Sequence, residues 1–348
     1  MKHFITTQDW TRGELDALLE HAHALKGSPI NRLLEGKSVA LLFFNPSLRT
    51  RASFEVGAWQ MGGHAVVLEP GKSGGTSGAW GMSFEPGAVM DGDAEEHVRE
   101  AARVLSRYCD LIAVRAFPKF QDWGLDRQDL VIRGFAEHAT VPVINMETIT
   151  HPCQELAHVM ALQERFGTAD LRGKKYVLTW TYHPKPLNTA VANSAAMIAT
   201  RFGMDVTLLC PDERFALDDR YMAAAFANAA ESGGSFGISH DIAASYEGAD
   251  VVYAKSWGAL PFFGKWDEER AVRDANRHFI VDETKMAMTN GALFGHCLPA
   301  RRNVKATDAV MDAPYSMIVD EAENRLHVQK ALMASLVGAG VGSEVGCG

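Results

Sequence analysis

Ser47-Leu48-Arg49-Thr50-Arg51 packs two hydroxyls and two guanidinium groups into consecutive positions. The apolar run Ser38 to Phe44 precedes it, and Asn45-Pro46-Ser47 reads as a turn ending in an N-cap. The motif therefore opens a helix directly after a strand. Unpaired N–H groups and the positive end of the helix dipole favour an anion there, and Arg49 and Arg51 add planar forks that match phosphate oxygens. The same residues also fit a capped surface helix with two solvated arginines. His151-Pro152-Cys153-Gln154 stands at a second strand-to-helix transition. His151 can donate to a developing oxyanion and Gln154 can hold an amide; on these residues alone, a packed histidine beside a buried cysteine is the plainer reading. His296-Cys297-Leu298-Pro299 follows a third strand, with Arg301 and Arg302 close behind. Open α/β sheets place ligands at such strand ends. No base for a nucleophilic Cys297 is legible nearby, so its carbonyl or thiol reads as a ligand contact. Arg325, on the last helix, is by default solvated.

Several chemistries are excluded. His151, Cys153 and His158 lack a further pair at metal-finger spacing, so no metal is expected. Gly71-Lys72-Ser73 looks like the end of a P-loop, but the required first glycine falls on Val66. No G-x-G-x-x-G follows an early strand, and no cofactor is expected. The 348 residues are 47% hydrophobic and 22% charged, an ordinary globular composition, and their number suggests two domains. The net charge of −9, without a basic block, argues against nucleic acid but leaves room for a local cationic pocket. Five cysteines without CxxC spacing suit reduced thiols in the cytoplasm. Met1-Lys2-His3-Phe4 runs into a helix pattern without a secretory apolar core, and no apolar run spans a bilayer, so no membrane partner is expected.

The elements that must position these motifs alternate. Thr11 to Glu14 has capping-box spacing ahead of an apolar stripe at Leu15, Leu18, Leu19, Ala22 and Leu25. Helices are expected from about Leu48 to Met61, after a second capping pattern at Asp93 and Glu96, over Leu187 to Phe202 with Gly203 as its stop, and over Glu321 to Leu336. Strands are expected at 38–44, 111–115, 141–145, 175–180, 205–210, 250–254 and 293–297. The fold class is α/β, with two Rossmann-like parallel-sheet domains and a cleft between them. The expected division is 1–149 joined by the terminal helix 321–337, then 150–320, with 338–348 as a flexible tail. Gly71 to Gly81, rich in Gly and Ser, is the expected mobile loop.

Taken in order, these motifs resemble the aspartate/ornithine carbamoyltransferase superfamily over about Phe4 to Leu336. Ser47 to Arg51 looks like its Ser-x-Arg-Thr-Arg phosphate signature, His151 to Gln154 like its His-Pro-x-Gln, and His296 to Pro299 like the ornithine-type His-Cys-Leu-Pro. Ornithine enzymes typically carry Ser-Met-Gly near an Asp that faces the α-ammonium, whereas this chain reads Lys255-Ser256-Trp257-Gly258. A lysine there repels an ammonium and suits an α-carboxylate whose amine has been acylated. With Asn145 to Thr148 and Thr179 to Pro184, that makes the chain resemble the branch acting on N-acetylornithine in arginine biosynthesis.

The resemblance implies that Ser47, Leu48, Arg49, Thr50, Arg115, His151, Pro152, Cys153, Gln154, Cys297, Leu298 and Arg325 hold carbamoyl phosphate, with Trp80 reaching in from a neighbouring subunit of a homotrimer. It gives Arg49, Thr50, Arg115, His151 and Cys297 catalytic roles. It assigns Glu147, Lys255 and Leu298 to acetylornithine, Glu95 to discrimination against a succinyl group, and a possible carboxylation to Lys305. Ser73 to Gly78 makes the loop before Trp80 longer than is usual in the family. The reaction implied is attack of the δ-amine of N-acetyl-L-ornithine on carbamoyl phosphate, giving N-acetyl-L-citrulline and phosphate. N-Succinylornithine or ornithine as the amine, and a non-catalytic regulatory protein that binds a phosphate ligand, are the rival readings.

Overall fold

Short apolar runs such as 38–43, 111–115 and 251–255 become parallel strands in the computed structural model, which describes residues 1–70 and 81–338. The strands are β1 Ser38–Phe43, β2 His64–Leu68, β3 Gly81–Ser83, β4 Ala94–His97, β5 Leu111–Arg115, β6 Val143–Glu147, β7 Lys175–Trp180, β8 Asp205–Leu209, β9 Ser235–Ser239, β10 Val251–Lys255 and β11 Leu293–Gly295. The Gly-rich loop with Trp80 and the tail 339–348, both singled out in the sequence, lie outside the described residues.

The chain divides into two units. The first holds 1–118, 128–153 and the chain from Arg325 on; the second holds Lys119–Arg127 and Gln154–Asn324. The first sheet runs β2-β1-β5-β6, all parallel. Its strands are covered by the helices Val98–Tyr108 and Leu130–His138, whose Val98, Ala102, Ile132 and Phe135 pack with Ala40, Leu42, Ile112 and Val114. The strand order reverses direction between β1 and β5, where Phe43 pairs with Arg115. The crevice outside such a switch point is where open α/β sheets bind ligands.

The second sheet runs β11-β10-β7-β8-β9, also parallel throughout. Its order reverses between β7 and β10, where Trp180 pairs with Lys255. Two of its helices, Ala190–Arg201 and Asp219–Ser232, pack on each other, with Ala225 and Ala229 buried on the second.

Local signals match closely at several ends. Thr11 and Glu14 form both arms of the capping box. Ser47 caps Leu48–Gln60 by accepting from the Thr50 amide. Gly203, at φ +76°, ends the helix Ala190–Arg201. One signal misleads. Asp93 and Glu96 do not cap a helix, because 94–97 pairs as β4 with β3. A Cβ on Gly81 would stand 2.2 Å from the Asp93 carbonyl oxygen, so this close approach needs glycine. The helix starts later, at Val98, and His97 caps it by accepting from the Arg99 amide. The last helix starts earlier than expected, at Ile318.

Candidate active site

In the first unit, the candidate residues gather at the ends of β1, β5 and β6. Thr50 sits in the first turn of Leu48–Gln60, buried, and its Oγ1 accepts from Arg325 Nη2 at 2.8 Å. Arg325 is thus a buried residue on the last helix, which corrects the solvated default. Burial pulls its guanidinium below the ordinary arginine value; the nearby Cys153 and Glu147 oppose that shift, while Arg115 and Arg49 add to it. Arg49, Arg115 and Arg325 are therefore electrostatic neighbours. Arg115 ends β5 and pairs with Glu147, which ends β6. The Arg115 guanidinium also lies 4.5 Å from the centre of the Phe117 ring.

Glu147 Oε2 lies 3.4 Å from His151 Nε2, so one carboxylate orients both the Arg115 fork and the imidazole. The turn between them is held tightly. Asn145 Nδ2 donates to Thr148 Oγ1 and Thr150 Oγ1, at 3.0 and 3.2 Å, and the Thr148 amide donates to the Thr150 carbonyl. Cys153, fully buried, points its Sγ at the Asn145 carbonyl, 3.7 Å away. On the other side, Asn45 Oδ1 accepts from the Phe117 amide at 2.7 Å and ties the β1 exit to the β5 exit. Three arginines, a helix N-terminus and one carboxylate leave a net positive field suited to a doubly charged phosphate group.

Two arginines of the sequence motifs are used elsewhere. Arg51 is exposed and spends its fork on Glu55 and Glu69, at 2.8 and 2.7 Å. Arg302 is likewise held by Asp308 and Asp312. Leu48 is exposed.

In the second unit, Lys255 ends β10 with its side chain buried. The loop after it is anchored at every step. The Trp180 indole donates to the Trp257 carbonyl, the Trp257 indole donates to the Phe215 carbonyl, and the Thr181 and Ser256 hydroxyls meet at 3.1 Å. Glu269, itself in a buried pair with Arg273, accepts from the Ala259 amide. Beyond β11, the Leu298 amide donates to His296 Nδ1 at 2.8 Å; Leu298 has φ +53° and a cis bond to Pro299. Cys297 is buried.

His296 Nε2 meets Lys305 Nζ at 3.2 Å. Lys305 is almost wholly buried, and that burial, helped by Lys255 and Arg301, pushes its amine down to about 7. His183, which the sequence reading passed over as a site residue, accepts from Arg301 Nε at 3.0 Å. Its other ring nitrogen meets the Lys185 carbonyl at 2.7 Å. Burial first, then Lys305, Arg301 and Lys255, pushes His183 down to about 4, so it stays a neutral acceptor. Lys255 and Arg301, with Lys305 beside them, make a cationic site fit for a carboxylate.

Gln154 and Glu321 lie buried in the second unit and are hydrogen-bonded to each other. Glu95 is exposed on β4. Trp80 lies outside the described residues. Among the described residues, no group of His, Cys, Asp and Glu is arranged to hold a metal ion, and no helix is long and apolar enough to cross a membrane.

Residues 2–164 match the carbamoyl-P binding domain of aspartate/ornithine carbamoyltransferase, and residues 181–336 match the Asp/Orn binding domain of the same family. N-acetylornithine carbamoyltransferase of Xanthomonas campestris pv. campestris is 69% identical over 338 residues, 97% of this chain and 98% of that protein. The crystal structure of acetylornithine transcarbamylase complexed with acetylcitrulline superposes with a TM-score of 0.94 at 68% identity, covering 97% of this chain and 99% of that one. A glutamate-substituted variant of N-acetyl-L-ornithine transcarbamylase, complexed with carbamyl phosphate and N-succinyl-L-norvaline, gives the same TM-score of 0.94 at 68% identity and covers 97% of this chain and 100% of its own.

Proposed function

The chain belongs to the aspartate/ornithine carbamoyltransferase family, and we propose that it transfers the carbamoyl group of carbamoyl phosphate to the δ-amine of N-acetyl-L-ornithine. The products are N-acetyl-L-citrulline and phosphate, a step of arginine biosynthesis. The observation that carries the reading is the cluster of Arg49, Arg115 and Arg325 around Thr50 at the switch point of the first sheet. The 69% identity to an N-acetylornithine carbamoyltransferase supports the choice of amine.

In this reading, Ser47, Leu48, Arg49 and the helix start bind the phosphate through charge and main-chain amides. Thr50, Arg115 and His151 donate to the carbamoyl oxygen as it gains charge on attack by the neutral amine. Glu147 keeps Arg115 and His151 aimed, and also faces acetylornithine. Pro152, Cys153 and Gln154, with Cys297 and Leu298, complete the carbamoyl phosphate site. The nitrogen–carbon bond forms, the carbon–oxygen bond to phosphate breaks, and the leaving phosphate takes the amine proton. Lys255, with Arg301 and His183 beside it, receives the α-carboxylate. A free α-ammonium would meet the same cations and be repelled, which favours an acylated amine over ornithine.

Glu95 disfavours the additional carboxylate of a succinyl group by like-charge repulsion; the glutamate-substituted relative solved with N-succinyl-L-norvaline supports that role. Lys305, with its amine near neutrality at about 7, is poised to react with carbon dioxide as the free base. The active unit is a cytoplasmic homotrimer in which Trp80 serves a neighbouring site. The exposed apolar side chains Leu48, Val56 and Trp59 on Leu48–Gln60 support self-association.

Side-by-side turnover of N-acetylornithine, N-succinylornithine and ornithine with carbamoyl phosphate tests the proposal. Preference for the acetyl compound is expected. Preference for either rival amine overturns the substrate assignment, and binding of carbamoyl phosphate without a ureido product overturns the enzymatic one.

A further inference from the structure

One helix grips His183 from both sides. Thr181 to Asn188, the loop after β7, forms neither helix nor strand, so what it is bonded to decides where the imidazole stands. Just before His183, the Tyr182 hydroxyl donates to Asp274 Oδ1 at 2.8 Å. Just after it, the Pro184 carbonyl accepts from Arg273 Nη2 at 3.4 Å. Arg273 and Asp274 are neighbours on the helix Trp266–Ala275. Arg273 is itself held by Glu269, and both are buried. The second Glu269 oxygen accepts from the Ala259 amide at 3.1 Å, so the same helix anchors the loop after Lys255. The two loops also meet directly, where Ser256 Oγ donates to the Tyr182 carbonyl at 3.3 Å. The imidazole's proton follows from its partners. Arg301 Nε can only donate, so His183 Nε2 is bare and Nδ1 gives its proton to the Lys185 carbonyl. The ring thus offers Arg301 a fixed acceptor. A long guanidinium side chain loses rotamer freedom when a ligand immobilises it, and an acceptor already in place lessens that loss.

We propose that Asp274 and Arg273 are positioning residues that hold Tyr182 and Pro184, keep His183 between them, and so keep Arg301 aimed at the α-carboxylate of the amine substrate. The proposal rests on the reading above, in which Lys255 and Arg301 meet that carboxylate. It deepens that reading by naming what fixes the carboxylate site before the substrate arrives. Asp274 is half-buried, and Tyr182→Phe keeps the ring whose centre lies 4.2 Å from the Arg277 guanidinium. The hydrogen bond between Tyr182 and Asp274 can therefore be cut from either end with the core left packed.

Steady-state kinetics with two amines reads this directly: N-acetylornithine, and N-acetyl-1,4-diaminobutane, the same molecule without the carboxylate. For the second, the inhibition constant against N-acetylornithine replaces kcat/KM where turnover is too slow to follow. D274A and Tyr182→Phe are expected to lower kcat/KM for N-acetylornithine about three- to tenfold through KM, the range for one hydrogen bond. The constant for N-acetyl-1,4-diaminobutane and the KM for carbamoyl phosphate should hold within about twofold. The double variant should lose no more than either single one, because both cut the same bond. D274N, whose amide oxygen still accepts from the Tyr182 hydroxyl, should stay within about twofold of wild type. Arg273→Lys keeps the ion pair with Glu269 but gives up the fork that also reaches Pro184, and should raise the KM for N-acetylornithine alone. A merely structural role would weaken both amines alike. That result, or no loss in D274A and Tyr182→Phe, overturns the inference. Should D274A fail to fold, Tyr182→Phe decides by the same criteria. Wild-type protein that handles both amines equally well overturns the carboxylate reading instead, and one that carbamoylates neither overturns the enzymatic one.

Discussion

Arg325 Nη2 donates to Thr50 Oγ1 at 2.8 Å, linking the last helix to the first turn of the helix that Ser47 caps. The hydroxyl that accepts from the guanidinium must turn its own proton elsewhere, and the reading above aims it at the developing oxyanion. Thr50→Val keeps the shape and removes this donor, so kcat/KM should fall by about a hundredfold or more. Thr50→Ser keeps the donor and should stay within about tenfold of wild type, because only a methyl group is lost. Steady-state kinetics with carbamoyl phosphate as the varied substrate checks both. Equal losses in the two variants would show that the hydroxyl does not act in the reaction.

Arg49 and Arg51 look equivalent in the sequence and are not. Arg51 is committed to Glu55 and Glu69 on the outside of the helix, whereas Arg49 belongs to the electrostatic neighbourhood of Arg325. Arg49→Ala should abolish measurable turnover with the fold intact by circular dichroism. Arg51→Ala removes exposed ion pairs worth about 0–1 kcal/mol together or singly and should leave stability nearly unchanged. Full activity in Arg49→Ala would remove the phosphate assignment at this helix start.

That difference marks what a sequence can carry. Ser47 and His151 are legible because each opens a helix directly after an apolar strand run, whereas Arg115 and Lys255 stand at the ends of β5 and β10 and are singled out only through the family resemblance. Arg51 and Arg302 were misleading because their forks are absorbed by Glu55, Glu69, Asp308 and Asp312, contacts that depend on which way each helix faces. His183 and Glu321 were passed over because their partners, Arg301 and Gln154, lie more than a hundred positions away in the chain. The Asp93 capping signal failed because β-pairing with 81–83 outcompeted a local cap.

Lys305 gives the protein a pH-dependent stability of definite sign. Its amine titrates near 10.5 when unfolded and at about 7 when folded, chiefly because burial disfavours the charge. Between those values the unfolded chain holds a proton that the folded chain has shed, so unfolding free energy rises with pH across that window. The contribution is complete above the unfolded value and is lost as pH falls through the folded one. Lys305→Met should flatten this part of the pH profile, measured by urea denaturation in buffer stripped of carbon dioxide so that the free amine is what titrates. Parallel profiles for the two proteins would mean that Lys305 is not held as a neutral amine. Adding isotope-labelled bicarbonate to wild type and reading a carbamate resonance by NMR then tests the carboxylation directly.

Gly295 places Tyr253 where Glu321 can use it. A Cβ at this position would stand 2.7 Å from Tyr253 Cδ2 and 3.1 Å from Met317 Cε. Tyr253 is buried on β10, between β7 and β11, so its ring or the strand must shift to admit the methyl group. Gly295→Ala should therefore cost about 1–3 kcal/mol of stability through overpacking. The ring shift also pulls the Tyr253 hydroxyl off the Glu321 oxygen that holds Gln154, so the KM for carbamoyl phosphate should rise more than that for acetylornithine. Gly237→Ala serves as the control, since nothing lies within 4 Å of a Cβ there, and its change should stay within about 0.5 kcal/mol. Denaturant midpoints and the two KM values measured on both variants decide the matter: a Gly295→Ala protein as stable as its control would mean that the strand yields and the ring contact does not constrain the network.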